Sequence, residues 1–244
     1  MNLIHALQDN SDPNSLVSRF RRARGRRVVA LIEAIHAEKG AVRIIDLGGE
    51  ANYWRLFDLD LLKSRNVHIT LINPGGTGDV WDMALFDEID ADACSLPQYA
   101  DHSFDLVHSN SVIEHVGDWP RMEAFAAECR RLAPRYYVQT PYFWFPIEPH
   151  FSAPFFHWRS EQSRARALMR RAHGFSQKAP DVGAAMRDVQ HARLLDKTQF
   201  RFLYPDAAHH DEKIGPLTKS VIAVRGSGAR AAASSSPFSV TGRL

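Results

Sequence analysis

Short apolar runs, each closed by turn residues and separated by stretches whose apolar positions repeat at helical spacing, constrain this chain more than any other feature. Residues 42–47, 66–72 (NVHITLI, closed by NPGGTG), 104–109 (FDLVHS) and 136–139 (YYVQ) read as strands. Between the last two, WPRMEAFAAECRRL (119–132) carries its apolar residues three and four apart, and Pro134 ends it. Strands that alternate with helices build a parallel sheet covered by helices, so an α/β domain is expected. Such a sheet binds ligands at the carboxyl ends of its strands, where loops and helix N-termini converge. The residues of interest are therefore Asp46, Gly48 and Gly49 around the end of the first run, Asn73 after the second, Asp92 and Ala93 ahead of the third, and Asn110 and Ser111 after it.

Beyond the fourth run, PYFWFPIEPHFSAPFFHW (141–158) holds too many prolines for an element interior and reads as an ordered aromatic loop. A helical stretch, SEQSRARALMRRAHGF, follows it, and then a polar connection to about Asp188. DKTQFRFLYPDAA suggests a short helix and KSVIAVR (219–225) a last strand, while the serine-rich end, 226–244, is expected to be disordered. The resulting division is an N-terminal helical segment at 1–40, a domain at 41–225 with an insertion at 141–190, and the tail.

A chain of 244 residues, 45% apolar, can bury one full core. Its formal charge of +2 does not suggest a dedicated nucleic-acid binder. One segment is locally basic: SRFRRARGRR spreads arginines around most of a helix, which reads as a solvated first helix or as a contact for an anionic group. Cys94 and Cys129 lack metal or disulfide spacing and suit a reducing cytoplasm. Neither a signal peptide nor an apolar run of spanning length is seen, and nothing in the pattern bears on oligomeric state.

The motifs DLGG, DADACSLPQYADHSFDLVHSNSVIEHV, RRLAPRYYVQTP and FLYPDAAHHDEKIGPLTKSVIAVR, in that order, resemble those of class I S-adenosylmethionine-dependent methyltransferases, in particular small-molecule methyltransferases. The resemblance covers about 40–225 and rests on order and spacing rather than on any single motif. It implies a Rossmann-like, mostly parallel seven-stranded sheet with helices on both faces, and KSVIAVR as an antiparallel strand next to the edge. It also implies S-adenosylmethionine as cofactor and methyl transfer to an oxygen, nitrogen or carbon nucleophile of a small molecule. Carried over residue by residue, it puts Asp46, Gly48 and Gly49 at the methionine part, Asn73 at the ribose, Asp92 and Ala93 at the adenine, and Ser109 or Asn110 beside the sulfonium. The chain departs from the family at Glu50 and Asn52, where glycine is usual, and at Asn73, where an acid is usual. Glutamate is poorly suited to a left-handed backbone, so Glu50 puts the loop in question.

The aromatic loop supplies Tyr142, Trp144, Glu148, His150 and His157 as candidates for acceptor contact, against plain core packing for the aromatics. His150 is the preferred general base, with Glu148 and His115 as further catalytic candidates; Glu114 stands beside His115 in what reads as an apolar helical stretch. Asp46 and Asp92 have a simpler reading as capping and turn residues. His209, His210, Asp211 and Glu212 read as a solvated turn, and no metal is expected. A noncatalytic binding protein on the same fold and, more remotely, a dinucleotide-dependent oxidoreductase remain as alternatives.

Overall fold

The structure, a computed structural model, describes residues 16–148, 150–174 and 176–226, with side chains from residue 24 on. Most of the serine-rich tail therefore lies outside the described residues. Helix α1 (Leu16–Lys39) leads into β1 (Val42–Leu47) through Gly40, whose φ of +75° supplies the left-handed turn at the helix end. A 3-10 turn (Ala51–Leu56) and α2 (Leu59–Ser64) precede β2 (Val67–Asn73), and β3 is Phe86–Asp90. Strand β4 (Leu106–Asn110), a 3-10 turn (Ile113–His115), α3 (Trp119–Leu132) and β5 (Tyr136–Pro141) complete the first part. The small antiparallel pair β6 (Ile147–Glu148) and β7 (Ala153–Pro154), a 3-10 turn (Phe156–Trp158), α4 (Glu161–Arg170) and α5 (Val182–Gln190) form the insertion. Helix α6 (Lys197–Leu203), β8 (Ala208–Ile214) and β9 (Leu217–Arg225) close the described chain.

Seven strands form one sheet in the order β3-β2-β1-β4-β5-β9-β8. The first five are parallel; β9 runs antiparallel to both neighbours and lies next to the edge, as the family resemblance implied. Alternation along the strands feeds two cores. Ile45, Leu47, Val107, Tyr136 and Val138 pack under α3 and α6, and Ile44, Leu106 and Tyr137 pack under α1 and the first 3-10 turn. Asp118 caps α3 by accepting from the Arg121 amide, and Asp196 with Gln199 forms a capping box on α6.

Four local expectations are corrected. The run 208–214, read as a solvated turn at His209 and His210, is the edge strand β8, held because its backbone pairs with β9. His115 sits in a 3-10 turn rather than in an apolar helix. The polar connection before Asp188 contains α5, whose Ala185 and Val189 pack in a third cluster with Phe151, Phe156 and Leu168. The first helix is not wholly solvated either: Arg24 is buried and forms a two-pronged ion pair with Glu212 of β8, at 2.9 and 2.6 Å. Glu212 more than offsets the burial cost of that guanidinium and raises its pKa.

Candidate functional site

The carboxyl ends of β1, β2 and β4 meet at the middle of the sheet, on either side of the point where strand order reverses. At the end of β1 the chain turns at Gly48, with φ +73°, and the Gly48 amide donates to the Ile72 carbonyl at 2.8 Å. A Cβ at Gly48 would lie 2.5 Å from Val112, and one at Gly49 would lie 2.0 Å from Asp46 Oδ2, so both positions demand glycine. Asp46 is buried beneath this turn. It accepts from Trp54 Nε1 at 2.8 Å, and its other oxygen lies 2.7 Å from His108 Nδ1, on the facing residue of β4. The question raised by Glu50 and Asn52 is answered by the backbone: Glu50 is extended, at φ −116°, and Asn52 lies inside the 3-10 turn. Neither needs the left-handed region. The amides of Ala51 and Asn52 donate instead to Asp79, at 3.3 and 3.1 Å. Burial pulls the Asp79 carboxyl up, but its bonds from Thr77 and these amides outweigh that and leave it below its ordinary value.

Asn73, the last residue of β2, donates through Nδ2 to the Gly49 carbonyl at 2.6 Å, which ties the two loops together and leaves its amide oxygen outside that bond. Asp92 is half-exposed. One of its oxygens accepts from the Cys94 amide at 2.9 Å, and Arg121 reaches both oxygens at 2.9 Å. Burial raises this carboxyl as well, and the Cys94 and Arg121 bonds bring it below the ordinary value. Ala93 is buried beside it. Ser109 is fully buried and donates to the Leu47 carbonyl at 3.1 Å, whereas Asn110, half-buried at the tip of β4, accepts from Arg24 at 3.2 Å.

The ends of β4 and β5 carry a second group of side chains. Glu114 is buried, accepts from Thr140 of β5 through Oε2 at 2.9 Å, and has no partner at Oε1. Burial pushes its pKa up to about 7, against the weaker pull of its bonds and of His150 and Arg24. From the insertion, Glu148 is buried, accepts from the Phe151 amide at 2.7 Å, and pairs with His150 Nδ1. His150 Nε2 lies 3.1 Å from His115 Nε2, and His115 Nδ1 lies 3.2 Å from His191 Nδ1 and 3.1 Å from the His191 carbonyl. Burial opposes a charge on His150, but Glu148 more than compensates and raises its pKa. Burial, and then the charge of His150, lower that of His115 to about 4. The two shifts run in opposite directions, so His150 takes a proton more readily than His115, and one proton can lie between their facing nitrogens.

Of the remaining candidates, Tyr142 is half-buried, with Lys197 Nζ 5.3 Å from its ring centre, and His157 is buried with Nε2 2.7 Å from the Phe143 carbonyl. Trp144 is exposed. Among the described residues no three His, Cys, Asp or Glu side chains are arranged to hold a metal ion. No helix there is long and apolar enough to cross a membrane.

Comparison with known proteins gives a match over part of the chain. Residues 72–135, from the end of β2 to just before β5, match the model of a methyltransferase domain. No curated protein matches. Among solved structures, an S-adenosylmethionine-dependent methyltransferase from Archaeoglobus fulgidus is 13% identical, covering 84% of this chain and 93% of its own, with a TM-score of 0.48. The YcgJ protein from Bacillus subtilis is 16% identical, covering 71% of this chain, with a TM-score of 0.43. An O-methyltransferase family protein from Burkholderia thailandensis is 12% identical, covering 86% of this chain, with a TM-score of 0.45. The chain spans 64% and 59% of the length of these last two.

The residues present fit S-adenosylmethionine, the cofactor of the family. The open amide oxygen of Asn73 and the half-exposed Asp92 are acceptors of the kind a ribose diol and an adenine amino group require, and the Gly48 turn brings bare backbone to the strand ends. Residues 72–135 are thus similar to a methyltransferase domain, and they lie on a sheet with the strand order β3-β2-β1-β4-β5-β9-β8.

Proposed function

We propose that the chain transfers the methyl group of S-adenosylmethionine to a nucleophile of a small molecule, and that the nucleophile is an oxygen or nitrogen that gives up a proton. The observation that carries this reading is the group formed by Glu114, His115, Glu148 and His150 beside the ends of β4 and β5, two buried carboxyls with two half-buried imidazoles, able to hold and pass a proton near neutral pH. A carbon nucleophile makes less use of it. Residues 41–225 form the catalytic domain in this reading, with 1–40 as the helical segment before it and the insertion 141–190 as the cover of the acceptor site.

Asn73 would take a ribose hydroxyl, and Asp92 with Ala93 the adenine. Gly48, Gly49, Ser109 and Asn110 would line the methionine and sulfonium side. Asp46, with both oxygens occupied, supports the loop from below instead of meeting the methionine ammonium. Bound there, the cofactor supplies a methyl group that is already electrophilic. This chain must then hold the acceptor in line, exclude water and receive the proton. Glu148 orients His150, and in its neutral form His150 Nε2, now turned to His115, would accept an acceptor's polar hydrogen. Glu114 Oε1, buried, unpartnered and close to half-ionised at neutral pH, is a second group able to share the proton.

The test pairs two measurements. Titration calorimetry with S-adenosylhomocysteine should show binding to the wild type, to His150→Gln and to Glu114→Gln alike. Formation of S-adenosylhomocysteine from S-adenosylmethionine, over a panel of phenols, alcohols and amines, should fall by about 100-fold or more in His150→Gln. A wild type that binds neither form of the cofactor would sink the reading.

A further inference from the structure

The insertion presents an apolar surface that the chemistry above does not use. Trp144, Phe155 and Trp158 are 54%, 51% and 39% exposed, and their rings form one patch: centroids lie 5.8 Å apart for Trp144 and Trp158 and 4.9 Å apart for Phe155 and Trp158. Phe155 is held there at a cost. Its φ is +58°, a left-handed backbone that bulky side chains avoid, fixed by its amide bond to the Pro146 carbonyl at 2.7 Å. Beneath it Phe156 is buried and stacks on His173, and the Arg159 guanidinium lies 5.9 Å from the Phe156 ring. Arg159 and Arg171 are exposed, and their bonds go to neutral groups, the Ser163 hydroxyl and the His173 ring, so among the described residues neither charge is paired with a carboxylate. Burial, and then these two guanidinium charges, lower the pKa of His173. Across 141–190 seven Arg and Lys stand against four Asp and Glu, a net +3 in a chain whose total is +2.

We infer that this patch docks the protein on an anionic lipid surface, with Trp144, Phe155 and Trp158 entering the headgroup boundary and Arg159 and Arg171 meeting lipid phosphates. Indole and phenyl rings beside unpaired arginines are the combination that an interfacial anchor uses. A single-stranded nucleic acid would also take arginines and aromatics, but it needs free ring faces for its bases, and these rings pack against one another. The inference does not depend on the methyl-transfer reading.

Sedimentation of the full chain with vesicles tests it, using phosphatidylcholine alone and phosphatidylcholine with about one third phosphatidylglycerol. The expected result is binding to the anionic vesicles with a blue shift of tryptophan emission, and roughly 10-fold weaker binding to the neutral ones. The double variant Trp144→Ala/Trp158→Ala should lose most of the binding, and Arg159→Gln/Arg171→Gln should lose the preference for anionic vesicles. Phe155→Gly guards against misfolding as an explanation, because it relieves the backbone while removing the ring. Its melting temperature should hold or rise while vesicle binding falls about 5-fold. Absence of binding to anionic vesicles, wild-type binding by these variants, or retention on oligothymidylate without retention on vesicles would each overturn the inference.

Discussion

The two halves of the sheet's carboxyl edge are built on opposite principles. At the ends of β1, β2 and β3 the polar groups satisfy one another: Asp46 holds Trp54 and His108, Asp79 holds the amides of Ala51 and Asn52, Asn73 holds Gly49, and Arg121 holds Asp92. At the ends of β4 and β5 a buried carboxyl keeps an unpartnered oxygen, and three histidines share too few protons for all their nitrogens. The first half spends its hydrogen bonds on a fixed shape, whereas the second keeps groups whose protonation can change near neutral pH. The proposed methyl transfer needs both, because the cofactor must be held still while a proton leaves the acceptor.

Removing the hub of the fixed half should have the largest effect. Asp46→Ala leaves the Trp54 and His108 nitrogens without their acceptor in the core, at a cost of about 4 kcal/mol. For a chain of this size that is a fall in melting temperature of roughly 8–16 °C, read by scanning calorimetry. A fall of a degree or two would mean that the buried pair is not what holds the loop.

The adaptable half should reveal itself through pH. The ordinary value for Glu114 is 4.5, and burial raises it to about 7 in the fold, so between these pH values the folded chain keeps a proton that the unfolded chain has lost. Stability from this group is therefore present below pH 4.5 and is lost as pH rises through 7, by on the order of 3 kcal/mol. Glu114→Gln should gain on the wild type across that window in urea unfolding. His115 acts in the opposite sense. Its pKa is lowered from 6.5 to about 4, so its contribution is lost as pH falls through that range, and His115→Gln should gain on the wild type toward acid. Parallel curves for either variant and the wild type would remove the distinction between the two halves.

A smaller effect separates steric from electrostatic control of the fixed half. In Gly49→Ala the new Cβ would meet Asp46 Oδ2 at 2.0 Å, and the strand backbones on both sides limit the escape of that carboxylate. A loss of about 2 kcal/mol is expected, with weakened S-adenosylhomocysteine binding by calorimetry. Stability unchanged from the wild type would show that the turn can move.

The same contrast decides what could be read from the sequence. Strands β1, β2, β4 and β5 are buried on both faces and announce themselves as apolar runs, displaced by no more than two residues at either end. The edge strands β3 (FDEID) and β8 (AHHDEKI) carry charges because an edge must resist further pairing, and they were legible as strands only through partners elsewhere in the chain. The expectation of strain at Glu50 failed because a glycine-like spacing was taken to require a glycine-like backbone, while the chain goes directly into a 3-10 turn. At the site, single residues were legible and their meetings were not. His150 and His115 are 35 positions apart and His191 is farther still, and nothing local signals that they converge. Arg24 gave a basic segment but no hint of Glu212, 188 residues away.

Arg121→Gln should have the smallest effect and sharpens the comparison most. In the Arg121–Asp92 pair both partners are about half exposed, so water and salt screen it and its loss should cost about 0.5 kcal/mol, under about 2 °C in melting temperature. Asp92 would still be held by the Cys94 amide, which comes from the rigid turn after β3. If shape alone is what the fixed half provides, S-adenosylhomocysteine affinity should stay within about 3-fold of the wild type by titration calorimetry. A loss beyond tenfold would assign Arg121 an orienting role on the carboxylate proposed to take the adenine. Exposed pairing at this edge would then act on the ligand, and the division between a half fixed for shape and a half free for chemistry would have to be redrawn at β3.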